Sequence, residues 1–293
     1  MKIGFLGLGH MGGPMAANLV KAGHTVRGYD PVPASQETAR AAGIDVVDSA
    51  AAAATDVDAV VSSLPNGAIV LAAYDEALPA AAPGTLFVDS STIAVDDAHE
   101  AALRATKAGH RFVDAPVSGG VVGAEAGTLT FMVGASEADL EAVRPVLEPM
   151  AGRVVHCGEV TAGQVAKLCN NLILAVSMAG VSEALVVGER LGLSHQAFYD
   201  VVSTSSGSCW ALNTNCPVPG PVPTSPANRD YQPGFATALM NKDLGLAMAA
   251  VEKTGTDAPV GTLVADLYRA FGEAGGSGLD FSAIIQQIRG ESA

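Results

Sequence analysis

A lysine and an asparagine stand four residues apart, as Lys167 and Asn171, in the stretch Gly163-Gln164-Val165-Ala166-Lys167-Leu168-Cys169-Asn170-Asn171. In a helix that spacing places both on one face, and the neighbouring residues are apolar enough for the helix to be buried. Burial disfavours an ammonium group, so a lysine there becomes a usable proton acceptor, which is what general-base chemistry requires. Asn171 is then spaced to orient the lysine or a substrate hydroxyl. The same pair also fits a lysine snorkelling from the helix start beside a locally hydrogen-bonded asparagine. Upstream, Ser118-Gly119-Gly120 sets a hydroxyl before two backbone amides that carry no side chain, a combination suited to a carboxylate or to a plain turn. Lys242, in Asn241-Lys242-Asp243-Leu244-Gly245, offers positive charge for a carboxylate or a partner for Asp243.

A second constellation lies at the N-terminus, where an apolar strand, a glycine-rich turn, a helix, another strand and an acid follow in order from Ile3 to Asp30. Gly7 permits the tight turn off the strand, Gly9 removes a side chain where backbone must approach a pyrophosphate, and Gly12 lets the helix pack on the sheet. Leu8, His10 and Met11 complete that turn, and the phosphates are expected at the helix N-terminus, where free N–H groups and the dipole favour anions. Asp30 closes the second strand at about the 20-residue offset where a carboxylate accepts the ribose hydroxyls of NAD and repels a 2′-phosphate. Leu64-Pro65 and Ser91-Thr92, each just after a strand, are expected along the rest of the cofactor. As isolated segments they also read as ordinary strand-to-helix turns.

Those positions need a scaffold. Strands are expected at Lys2–Leu6, Thr25–Tyr29, Ala59–Ser62, Leu86–Asp89, Arg111–Asp114, Thr130–Val133 and Val154–His156, alternating with alanine-rich helices. That alternation implies an α/β, doubly wound, mostly parallel sheet of Rossmann type over residues 1–162. Beyond it the strand signals stop, and helical periodicity over Gln164–Leu191, Phe235–Lys253, Pro259–Glu273 and Phe281–Ile288 predicts an all-α domain over 163–293, joined by a long helix. The proline-rich run Cys216–Pro233 forbids regular structure and is expected to be an ordered, extended loop, either a bare surface excursion or a wall of the site or of an oligomer contact.

With 293 residues, 49% of them hydrophobic and 16% charged, the chain can fill a large core. A net charge of −14 provides no basic footprint for nucleic acid or an anionic membrane. The first strand begins at Lys2 with no signal-like stretch, so a cytoplasmic setting, or an organellar matrix after processing, is expected. The apolar run Leu172–Val187 is interrupted by Ser177, Ser182 and Glu183 and reads as a helix buried in protein. The four cysteines and six histidines show no metal-ligand or disulfide spacing, so no metal is expected.

The ordered motifs FLGLGHMGGPMAANLVKAGH, DAPVSGG, GQVAKLCNN and KDLGLA resemble those of the β-hydroxyacid dehydrogenases, essentially end to end. Within that family, NTNCPVPGPVPTSPANRDYQPGF and LDFSAII look most like the members acting on 3-hydroxyisobutyrate. The resemblance implies Lys167 as catalytic acid/base with Asn171 as partner, Ser118, Gly119 and Gly120 on the substrate carboxylate, and Lys242 completing the site. It implies NAD as cofactor, a small hydroxy acid as substrate and a homo-oligomer, dimer or tetramer. Related 3-hydroxyacids or semialdehydes (tartronate, glyoxylate, succinate semialdehyde, L-serine) are alternative substrates. A non-catalytic nucleotide-binding homologue is a further alternative, though such a protein is expected to have lost the lysine.

Overall fold

A computed structural model describes residues 1–290. The chain divides into two compact units, Met1–Lys167 and the residues from Leu168 onward. In the first unit β1 (Lys2–Leu6), α1 (Gly12–Lys21), β2 (Thr25–Tyr29), α2 (Pro33–Ala41), β3 (Asp45–Val46), α3 (Ala50–Ala54), β4 (Ala59–Ser62) and α4 (Gly67–Ala77) follow one another. They continue through β5 (Leu86–Asp89), α5 (Val95–Lys107), β6 (Arg111–Asp114), β7 (Val117–Ser118), α6 (Gly120–Ala126), β8 (Leu129–Gly134), α7 (Glu137–Leu147) and β9 (Ala151–Gly158). The nine strands form one sheet, in which β3-β2-β1-β4-β5-β6 run parallel and β8 joins β6 antiparallel. β7 pairs antiparallel and β9 parallel with β8.

β4 and β5 are buried at every residue, the signature of strands covered on both faces. Alternation then sorts their side chains into two layers. Val61 and Val88 join Ile3, Phe5, Met15 and Leu19 on one side, while Val60 and Phe87 join Leu6, Tyr74 and Phe112 on the other. Helices thus cover both faces, as a doubly wound sheet requires. The two-residue strands β3 and β7 carry too little pattern to be read from sequence.

The second unit is helical. α8 (Ala162–Arg190) begins in the first unit and supplies the second with core residues, and it is followed by α9 (His195–Val202), α10 (Trp210–Asn213), α11 (Thr237–Thr254), α12 (Pro259–Glu273) and α13 (Ile284–Arg289). The two compact units divide between Lys167 and Leu168, within α8, because the first turn of α8 is hydrogen-bonded to the loops of the first unit. By length and composition α8 alone, among the described residues, could cross a membrane, but Ala175, Met178, Leu185 and Val186 belong to the helical core.

The proline-rich run is compact, not extended as the sequence reading expects. Cys216, Val218, Val222 and Tyr231 are core residues, the Ser225 hydroxyl donates to the Cys216 carbonyl at 2.5 Å, and the Tyr231 hydroxyl donates to the Pro217 carbonyl at 2.8 Å. Prolines preclude a hydrogen-bonded ladder, so side chains satisfy the loop's carbonyls instead. Buried Asp280 anchors the end of this loop, accepting from the backbone N–H groups of Gly234 and Phe235 and from the Asn215 side chain.

Candidate active site

The glycine turn between β1 and α1 shows three glycines demanded by three different things. Gly7 has φ +92°, and a Cβ there would lie 2.3 Å from the Ser63 carbonyl oxygen; one on Gly12 would lie 1.9 Å from the Gly7 carbonyl oxygen. Gly9 is exposed, and a Cβ there would meet nothing within 4 Å. The chain's own packing explains Gly7 and Gly12 but does not require Gly9, a pattern that close approach of this backbone to a ligand would produce. α1 has no side-chain cap and no acid in its first turn, so no side chain there competes with or repels an anion at its N-terminus. These residues fit a dinucleotide. His10 is exposed and Met11 half-buried in the same turn.

Asp30 directly follows β2 and is buried at 7% exposure. Its Oδ2 accepts from the Leu8 N–H at 2.7 Å and its Oδ1 from the Val32 N–H at 2.8 Å. The carboxylate therefore ties the glycine turn to the end of the neighbouring strand, and each oxygen keeps lone-pair capacity for a further donor. Leu64 and Pro65 follow β4, and Ser91 and Thr92 follow β5. The structure joins these two loops directly, because the Leu64 N–H donates to the Ser91 Oγ at 2.8 Å. Every one of these groups stands at the carboxyl end of a parallel strand, where ligands of open α/β sheets bind.

Ser118 ends β7, paired with Thr130, and Gly119 and Gly120 lead into α6 with φ of +134° and +62°. Those angles call for glycine whether or not an anion binds there.

Lys167 lies one helical turn before Asn171 on α8, and both are buried, at 8% and 2% exposure. Asn171 donates its side-chain amide to Asp243 Oδ2 at 2.5 Å, and the Lys242 ammonium lies 3.3 Å from Asp243 Oδ1. Asn171 and Lys242 are thus brought together through an acid that sequence reading treats only as a possible partner of Lys242. Charged, hydrogen-bonded pairs of this kind hold a side chain in one orientation.

Two residues that hold the start of α8 were given no role of their own in the sequence reading. Asp114, at the end of β6, accepts from the Thr161 N–H at 2.6 Å and the Gln164 N–H at 2.9 Å, capping the helix from another element. Its burial pushes the carboxyl up to about 6, against those two hydrogen bonds, which pull the other way. Gly134 and Gly163 make room for it, since a Cβ on either would come within 2.8 Å of an Asp114 oxygen. Gln164, fully buried, donates to the Ser91 carbonyl at 2.7 Å and accepts from the Ile93 N–H at 3.2 Å. An acid closing a strand and a polar residue in a helix's first turn were the available signals, but their partners lie 50 and 73 residues away. Among the described residues no group of His, Cys, Asp and Glu is placed to hold a metal ion.

Residues 2–158 match the family model described as the NAD binding domain of 6-phosphogluconate dehydrogenase. Residues 161–288 match that described as NAD-binding of NADP-dependent 3-hydroxyisobutyrate dehydrogenase. A probable 3-hydroxyisobutyrate dehydrogenase of Mycobacterium tuberculosis is 56% identical, over 98% of this chain and 97% of the relative. An NAD-dependent L-serine dehydrogenase of Pseudomonas aeruginosa is 44% identical, over 98% and 97%. A solved structure of the Mycobacterium tuberculosis 3-hydroxyisobutyrate dehydrogenase with L-serine superposes with a TM-score of 0.94, covering 98% of this chain and 99% of that one. End-to-end matches at this identity leave one reading of descent: the chain belongs to the β-hydroxyacid dehydrogenase family, its N-terminal unit being an NAD-binding domain.

Proposed function

We propose that the protein oxidises 3-hydroxyisobutyrate to methylmalonate semialdehyde with NAD, a step of valine catabolism. The observation that carries the reading is a buried lysine one turn before an asparagine that Asp243 holds in place. The Lys167 Nζ takes the proton of the C3 hydroxyl as that carbon becomes an aldehyde. Asn171, fixed by Asp243, donates to the same oxygen and keeps it facing the amine. Ser118 and the amides of Gly119 and Gly120 hold the carboxylate, and Lys242 adds positive charge. When bound, NAD supplies nicotinamide C4 as the hydride acceptor. Asp30 selects NAD because a carboxylate that already anchors the Leu8 amide repels a 2′-phosphate.

L-Serine is a second reading, favoured by the L-serine dehydrogenase relative and by the relative's structure with L-serine. The two substrates share the primary hydroxyl and carboxylate and differ at C2, a methyl against an ammonium. Steady-state kcat/KM for both acids, each with NAD and NADP, tests the proposal. Higher values for 3-hydroxyisobutyrate with NAD support it. Higher values for L-serine move the assignment to the second reading, and a preference for NADP overturns the role given to Asp30.

A further inference from the structure

The first turn of α8 does more than begin the helix. Gln164 is fully buried, and its side-chain amide bonds twice to one loop, the donor to the Ser91 carbonyl and the acceptor to the Ile93 N–H. A carbonyl can only accept and an N–H can only donate, so these partners fix the orientation of the amide. Ser91 in turn accepts from the Leu64 N–H through Oγ and donates its own N–H to Asp89 Oδ1 at 3.1 Å. A continuous hydrogen-bonded path therefore runs from the loop after β4, through the loop after β5, into α8. Lys167 stands three residues beyond Gln164, on the neighbouring position of the same helix face.

We infer that Gln164 is a positioning residue that couples NAD bound at the Leu64–Pro65 and Ser91–Thr92 loops to the placement of Lys167. The inference rests on the roles proposed above for those loops and for Lys167. A primary amide supplies donor and acceptor here at any pH, whereas ionised glutamate keeps the shape and loses the donor, and leucine keeps the volume and loses both. Buried in the same region are Asp114, which accepts from the Gln164 backbone N–H, Asp89 beneath Ser91, and Lys167 itself. Cutting the path leaves the nucleotide fold in place but lets loop and helix move independently.

The test compares Gln164→Leu and Gln164→Glu with the unaltered full chain, reading Kd for NAD, kcat, KM for the hydroxy acid and the unfolding temperature. Gln164→Leu is expected to lower kcat and weaken NAD binding by about tenfold each, the effect of losing two buried hydrogen bonds, with KM for the acid little changed. Gln164→Glu is expected to match that loss at neutral pH. Its activity relative to the unaltered chain then recovers as pH falls, because a protonated carboxyl restores the donor to Ser91. A purely structural role moves the unfolding temperature alone and yields no such recovery. Normal kcat and NAD affinity in Gln164→Leu overturns the inference, and if that variant does not fold, a pH-independent Gln164→Glu overturns it equally. Lys167→Ala separates the two ideas. Full activity in Lys167→Ala removes the catalytic reading while leaving the NAD-affinity arm of the Gln164 test standing. An inactive Lys167→Ala beside normal Gln164 variants rejects this inference alone.

Discussion

The side-chain amide of Asn171 reaches the Asp243 carboxylate at 2.5 Å, and each residue is 2% exposed. A buried carboxylate depends on its donors, because one left unsatisfied carries most of its desolvation cost. Asn171→Leu keeps the volume and removes the donor, leaving Lys242 at 3.3 Å as the cation beside the acid. The expected loss is about 2 kcal/mol of unfolding free energy, together with turnover. Urea denaturation checks it, and an unchanged midpoint would show that the pair contributes nothing.

Lys167→Ala should fold and bind NAD but lose about 10²- to 10⁴-fold in kcat, the span attributed to a positioned general base. Stopped-flow detection of NADH formation measures the loss. Turnover near the unaltered value across the pH range would refute the assignment.

The glycine turn separates fold from ligand. Gly9→Ala places a methyl where the protein has open space, so the unfolding temperature should hold while Kd for NAD rises by about tenfold or more. Gly12→Ala drives a methyl to 1.9 Å from the Gly7 carbonyl oxygen, so both stability and NAD binding should fall. Calorimetric titration paired with thermal unfolding distinguishes the two. Equal stability losses would mean that Gly9 is also required by packing.

Asp30→Ala removes the acceptor for the Leu8 and Val32 N–H groups as well as the negative charge. The kcat/KM with NAD should fall by about tenfold or more, from the loss of charged hydrogen bonds, and the ratio of NADP to NAD activity should rise. An unaltered cofactor ratio would detach Asp30 from selectivity.

Burial pushes the Asp114 carboxyl up to about 6 from its ordinary value of 3.8. A carboxyl that holds its proton more tightly when folded contributes most stability at low pH and loses it as pH rises from about 3.8 to about 6. The difference in unfolding free energy between the unaltered chain and Asp114→Asn, which cannot ionise, should therefore shift against the unaltered chain by about 3 kcal/mol across that window. It should stay flat above it. Urea titrations at several pH values measure this, and a pH-independent difference would place the carboxyl at its ordinary value.

Much of the molecule was legible in the order of residues along the chain. Hydrophobic alternation and the glycine turn specify β1, α1 and β2 because strand, turn and helix chemistry is local, and the Lys167–Asn171 spacing follows from the pitch of α8. Tertiary structure alone decided what those side chains meet. Asp243 became the anchor of Asn171, Gln164 the stitch to Ser91, and Asp114 the cap of α8. The proline-rich run, expected to be extended, folded into the helical core. The reason is range: propensity and periodicity act across neighbours a few residues apart, whereas a buried polar group takes whichever partner the packed chain brings within hydrogen-bond distance, and that partner leaves no periodic trace in the sequence.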